Sequence, residues 1–174
     1  MTISESVKIR LGVPVYQDAH HVISVYENTV LTYSIDAPNP IFLDAWARTV
    51  ALVVDQRQAG LMNMTIIERH VQPPNDVSRT RIRNTVLRHA ADIKAFAYVV
   101  EGEGFGASAI RSAISLMSMA ARYPFPLKVF GHVEDAASWM LNRPGQGAQN
   151  SSPAKLIAIA NSLRGELSAG IKTG

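Results

Sequence analysis

The chain has 174 residues, of which 47% are hydrophobic, with 17 lysines and arginines against 14 aspartates and glutamates for a net charge of +3, and no cysteine. That length suits one domain with appendages, and the apolar fraction is enough to fill an ordinary core. So small a surplus of charge is not a polybasic surface, so a nucleic-acid partner is not expected. The lack of cysteine excludes disulfides, thiol nucleophiles and thiolate metal sites. With no signal-like apolar run between Met1 and Leu11, it leads to the expectation of a reducing, cytoplasmic setting. No stretch approaches the roughly 18 uninterrupted apolar residues of a membrane span.

Val7, Ile9, Leu11, Val13 and Val15 alternate with Lys8, Arg10, Gly12, Pro14 and Tyr16, the period of a half-buried strand, and Pro14 predicts an edge position for it. His21 to Tyr26 and Thr29 to Ile35 are rich in β-branched and aromatic residues, and Glu27-Asn28 between them predicts a hairpin. Pro38-Asn39-Pro40 then launches a helix from about Ile41 to Gln58, stopped by Gly60. One face of it carries Phe42, Ala45, Trp46, Thr49, Val50 and Val53, and Leu43, Ala47, Leu52 and Val54 cover much of the rest, so more than one side is expected to be buried.

A strand is predicted from Leu61 to Val71, and after Pro73-Pro74 a helix from about Val77 to Asp92, with Ile82, Val86, Ala90 and Ile93 toward the core. Ala95 to Val100 is apolar with almost no alternation, as in a central parallel strand covered on both faces. Glycines 102, 104 and 106 lead into a helix ending near Arg122, and a last strand runs from Leu127 to Val133. Glu134 and Asp135 open a short helix to Leu141, where two acids suit the positive end of the helix dipole. Residues 143–153 read as a linker, and Pro153 starts a final helix striped with Leu156, Ala160, Leu163 and Leu167. The expected fold is α/β: a mostly parallel mixed sheet with crossover helices in one domain over residues 1–142, with an extra strand in an amino-terminal extension (1–19) and an extra helix and tail over 154–174.

Val99-Val100-Glu101-Gly102 running into Gly104-Phe105 and the Arg111 helix, then Pro126 to Phe130, then Glu134-Asp135-Ala136-Ala137-Ser138-Trp139-Met140, resemble the SpoIIAA-like, STAS-type proteins, anti-sigma-factor antagonists among them. The resemblance covers about two thirds of the chain, from His21 to Leu141. It implies a non-enzymatic regulatory or scaffolding role through contact with a protein partner. It also implies phosphorylation in some members at the start of the helix after the third strand, here Ser78 or Thr80, although the surroundings depart from the Asp-Ser-Ser-Gly pattern.

Several clusters admit a sharper reading. Gly102 to Ala107 fits G-x-G-x-x-A, and free N–H groups at such a helix start could take an anion at Gly104 and Phe105. The segment comes late, however, and the acids at Glu134 and Asp135 fall too far on for a dinucleotide site, so no cofactor is expected. His70 and His132, each at the end of a predicted strand, and Glu101 could converge at the carboxyl edge of the sheet, with Ser78 nearby, as a ligand or minor catalytic site. No histidine pair has metal spacing, so no metal is expected. Arginines 79, 81, 83 and 88 are read as a solvated helix face. The helix from Ala107 to Arg122 keeps Ser108, Arg111, Ser115, Ser118 and Arg122 on one narrow stripe and is otherwise apolar or small. A neighbouring helix, the carboxy-terminal helix or a second chain must cover that surplus. Trp46, Met117, Met119, Leu156 and Leu163 are accordingly interface candidates for a homodimer. The alternatives are a small-molecule or lipid carrier of the CRAL-TRIO kind, a distant kin of the resembled fold that would contain a cavity, and an enzyme using His70, Glu101 or His132.

Overall fold

Proline has no N–H to give a ladder, and Pro14 sits where none is required. Pro14–Gln17 is strand β1, at the edge of a sheet. The computed structural model describes residues 13–57, 59–143 and 152–172, with 117–121 and 169–172 described by backbone alone. Residues 7–12 of the expected first strand lie outside them. The two β-branched runs pair antiparallel as β2 (His21–Tyr26) and β3 (Thr29–Ser34) around Glu27 and Asn28, with Glu27 turned at φ 52°.

Helix α1 (Pro40–Gln56) starts where the Asn39 side chain accepts the Phe42 N–H at 2.9 Å, and Pro40 occupies a first-turn position that lacks a partner anyway. Strand β4 (Leu61–Ile67) follows Gly60, whose φ of 81° and close approach to the Asp92 carbonyl leave no room for a Cβ. Asn75 caps α2 (Asp76–Arg88) by accepting the Ser78 N–H at 2.9 Å. Then come β5 (Ile93–Val100), α3 (Phe105–Ala121), β6 (Leu127–Phe130), α4 (Val133–Leu141) and α5 (Pro153–Lys172).

The six strands lie in chain order, β1-β2-β3-β4-β5-β6. The first three pair antiparallel and β3 to β6 run parallel, so the architecture is α/β with a mixed, mostly parallel sheet. Helices α4 and α5 cover one face, where Met62, Met64, Ile66, Ala97, Met140 and Leu163 belong to a single fully buried cluster. Helix α1 is pressed to the other face through Phe42, Trp46, Val50 and Val53. The carboxy-terminal helix, set apart in sequence by a linker, is thus part of the core, and burying each of its leucines stabilises the fold by about 1.5–3 kcal/mol. Among the described residues no helix is long and apolar enough to cross a membrane.

Several boundaries move. Strand β4 stops at Ile67, not Val71, because the chain turns with the Val71 N–H on the Glu68 carbonyl. Helix α2 stops at Arg88, and Ile93, expected on its core face, opens β5 after a turn closed by the Asp92 and Ile93 N–H groups on the His89 carbonyl. Strand β6 ends at Phe130, so His132 is not a strand residue but the N-cap of α4. Trp46, Leu156 and Leu163, expected at an interface between chains, are buried within this one, at 5%, 0% and 0% exposure.

Candidate functional site

Side chains alternate across a sheet, so on β3, β4 and β5 every second residue turns away from the α4–α5 core. Those residues include Thr32, Asn63, Thr65, Phe96 and Tyr98. Register sets three of them in one line: Thr32 lies beside Thr65 and Thr65 beside Tyr98. With strands roughly 4.8 Å apart, this is a row of hydroxyl-bearing side chains across the middle of the sheet.

Above that row is a cavity of about 560 Å³. Phe42, Leu43 and Trp46 of α1 wall one side, Ile82 and Val86 of α2 another, and Ile110 and Ile114 of α3 a third. Asp36, Arg79, Thr80 and Arg83 are also in its lining, together with the turn from Val71 to Pro74. The hollow follows from the helices' composition. Only Ser78 and Val86 of the arginine-rich α2 are buried, so it has no apolar stripe with which to press against the sheet. Helix α3 rests on β5 and β6 and leaves the space between itself and α2 open.

The polar groups of the floor are connected on one side only. Trp46 Nε1 donates to Asn63 Oδ1 at 3.0 Å, and Asn63 Nδ2 donates to Thr65 Oγ1 at 3.0 Å. The Thr65 hydroxyl therefore accepts but, among the described residues, donates to nothing. The Thr32 hydroxyl has no partner among the described residues although Thr32 is 1% exposed. Burial, with the nearby Tyr123, pushes the Tyr98 phenol well above its ordinary value, so it stays protonated, and its ring stacks on Phe96 at 5.0 Å. Burial also raises the Tyr123 phenol, against the opposing pull of Arg83.

The residues singled out in the sequence are scattered around this cavity. Thr80 is exposed and lines it, with its hydroxyl donating to the Asp76 carbonyl at 2.9 Å. Ser78 is buried at 5% exposure and its hydroxyl donates to the Pro38 carbonyl at 3.3 Å. His70 is exposed in the loop after β4, His132 is exposed at the start of α4, and Glu101 is ion-paired with Arg164 of α5. No hydrogen bond or ion pair joins these three to one another among the described residues. Gly104, at φ 95°, begins α3, and Phe105 is 90% exposed. The side chains of Met117 and Met119 lie outside the described residues. Arg79 pairs with Asp76 and Arg81 with Asp44, the second pair at 2.8 Å. No three metal-ligating side chains gather among the described residues.

A second polar cluster was also missed in the sequence. The Asp18 carboxylate accepts from the Tyr16 hydroxyl at 2.7 Å, from the His20 and His21 N–H groups at 2.8 and 2.7 Å, and from Asn39 Nδ2 at 3.0 Å. The His21 ring, stacked on Phe42 at 4.4 Å, sets Nδ1 3.0 Å from Asp18 and Nε2 3.1 Å from the Ala37 carbonyl. Burial opposes ionisation of Asp18, but the bonds from Tyr16, His20 and Asn39 and the adjacent His21 outweigh it and hold the carboxyl well below the ordinary carboxylate range. Burial, then the bond to Asp18, pushes the Tyr16 phenol up to about 12. This cluster ties the chain before β2 to the cap of α1, beside the Phe42 wall of the cavity. Its only sequence signal is an Asp three residues before a histidine.

Comparison with family models, with curated proteins and with solved structures gives no match for this chain.

Proposed function

We propose that this chain binds a small, largely apolar organic molecule in the cavity between the sheet and helices α1, α2 and α3. The observation that carries the reading is the cavity itself: about 560 Å³, walled by aromatic and aliphatic side chains. Ligand sites commonly measure 300–1,000 Å³, with apolar walls and a few placed polar groups. Its position supports the reading too, because Ser34, Ile67 and the turn to Pro74 put it toward the carboxyl ends of parallel strands, where α/β proteins gather ligands. Titration with 8-anilinonaphthalene-1-sulfonate tests it. Saturable one-to-one fluorescence enhancement is expected, and Ile82→Trp, which intrudes into the space, weakens it. Enhancement that does not saturate, or that is unchanged in Ile82→Trp, refutes the reading.

We also propose that the architecture is of the SpoIIAA-like, STAS-type kind. An antiparallel opening pair followed by crossover helices between strands laid down in chain order supports it. On that reading a regulatory role through a protein partner or a second copy falls to the outer side of α3, where Phe105 is 90% and Leu116 67% exposed. Leu116→Glu then lowers the sedimentation coefficient of any dimer. An unchanged coefficient, or a monomeric wild type, removes the second copy.

A further inference from the structure

We infer that the cavity floor recognises an uncharged oxygen acceptor, such as a ketone, ester or amide carbonyl, carried at the inner end of an otherwise apolar ligand by the hydroxyl row of Thr32, Thr65 and Tyr98. The inference rests on the proposed ligand-binding role and adds the chemistry of the ligand to it.

Three hydroxyl-bearing residues stand side by side on adjacent strands, and each hydroxyl has a proton with no acceptor among the described residues. A buried hydroxyl without a partner costs about 1–3 kcal/mol, so such groups are nearly always matched. Of the three, Thr32, at 1% exposure, is the one that bears this cost, and Thr65 and Tyr98 are half-buried beside it. Packing alone does not account for a threonine there, because valine would fill the same space and form strand as readily. A ligand oxygen in contact with the row would supply the missing acceptor.

The direction of the chain beside it points the same way. Trp46 donates to Asn63 and Asn63 to Thr65, so Thr65 has one oxygen lone pair occupied and its proton left to give. Hydrogen bonds in series polarise one another, which makes the last hydroxyl a better donor. Tyr98, kept protonated by its surroundings, is a donor as well. The floor thus presents three neutral donors on neighbouring strands, with no cation among them.

Charge decides the acceptor's kind. A carboxylate set on this floor would meet neutral donors only, since the cations of the lining, Arg79 and Arg83, reach the cavity from α2 and not from the strands, and Arg79 is already paired with Asp76. Burying an unpaired carboxylate costs far more than neutral hydroxyl donors return. A carbonyl oxygen carries no such penalty and has two lone pairs, which suits two or three donors in a line. The ring of Tyr98, stacked on Phe96, gives the rest of the ligand a flat aromatic surface.

A matched pair of probes tests this: 2-acetylnaphthalene and 2-isopropenylnaphthalene share a shape, the hydrocarbon having a methylene group where the ketone has its oxygen. Binding of each to the full chain is measured by calorimetry or by chemical-shift titration. One or two net hydrogen bonds correspond to a preference of about tenfold for the ketone in the wild type. The Thr65→Val/Tyr98→Phe double variant is expected to bind both probes equally while retaining its affinity for the hydrocarbon. Thr32→Val alone lowers the preference in part, which serves if the double variant does not fold. If the wild type binds both probes equally, the hydroxyl row does not read the ligand and this inference falls, with the ligand-binding role left standing. If the preference persists in the variants, the row is likewise not the reader. If neither probe binds the wild type, the ligand-binding role falls as well.

Discussion

On the α4–α5 side of the sheet, Met62, Met64, Ile66, Ala95, Ala97 and Val99 meet Met140, Leu156, Ala160 and Leu163, and all are fully buried. On the opposite face of β3, β4 and β5, Thr32, Asn63, Thr65 and Tyr98 carry hydroxyls and an amide, and three of these four line a cavity. Strand-forming tendency does not separate the two sets, because threonine and tyrosine favour strands as valine does. What separates them is the cover. Two helices with continuous apolar stripes close one face, and an arginine-rich helix stands off the other. One side is filled, and the other, on the proposed ligand-binding reading, gives up some stability for a place to hold a guest.

Truncation is the most direct way to break that comparison. Leu163→Ala on the filled face is expected to lower the unfolding free energy by about 2–5 kcal/mol, and Ile82→Ala on the hollow face by under about 1 kcal/mol, since a side chain already bordering space leaves little new void. Urea unfolding of the two variants decides it, and similar losses would mean that the faces are packed alike.

The next effect concerns the Asp18 cluster that joins β1, β2 and α1. Asp18→Ala is expected to lose about 2–3 kcal/mol at pH 7, because it strips acceptors from several donors at once. The folded carboxyl titrates below its unfolded counterpart, so the stability it confers is complete above the unfolded value of about 3.9 and is lost as the pH falls through the folded one. The gap between wild type and variant in urea therefore narrows below about pH 4. A gap unchanged at pH 3 would contradict the bonding around Asp18.

Thr32→Val sharpens the contrast with the opposite sign. It removes a buried hydroxyl that lacks a partner among the described residues, so the unliganded chain should gain about 1 kcal/mol in thermal or urea unfolding. A loss instead would show that the hydroxyl has a partner in the empty protein. The smallest effect lies at the hairpin, remote from both faces: Glu27→Gly relieves a left-handed residue and is expected to add about 0.5 kcal/mol. A loss of stability there would mean that the Glu27 side chain contributes more than its backbone strain removes.

Much of the fold was legible because period and punctuation are local. The β-branched runs on either side of Glu27-Asn28 mark β2 and β3 to within a residue, and the unbroken apolar run from Ala95 to Val100 announces a strand covered on both faces. Boundaries were lost where local signals compete. Ile93 continues the helical spacing of α2 and also begins β5, and the sheet wins because the turn at His89 to Asp92 satisfies the helix end first. His132 continues a β-branched run, yet two acids behind it make it a helix cap. Trp46, Leu156 and Leu163, expected under a second chain, are covered within this one, because an apolar surplus does not say which element covers it. The hydroxyl row was out of reach for a different reason: Thr32, Thr65 and Tyr98 are more than thirty residues apart from one to the next, and only strand register makes them neighbours.

The order of the strands also says something about how the chain is made. Each strand pairs with the one synthesised just before it, so the sheet can grow as the polypeptide leaves the ribosome. The cover over β2 and β3, however, is α5, which packs on them only after residues 153–172 exist. At 5–20 residues per second, Val22, Tyr26 and Leu31 remain bare for roughly ten seconds of translation. A nascent chain cut short before Pro153 would keep that oily strip open to water, where a chaperone or a sister chain would meet it first.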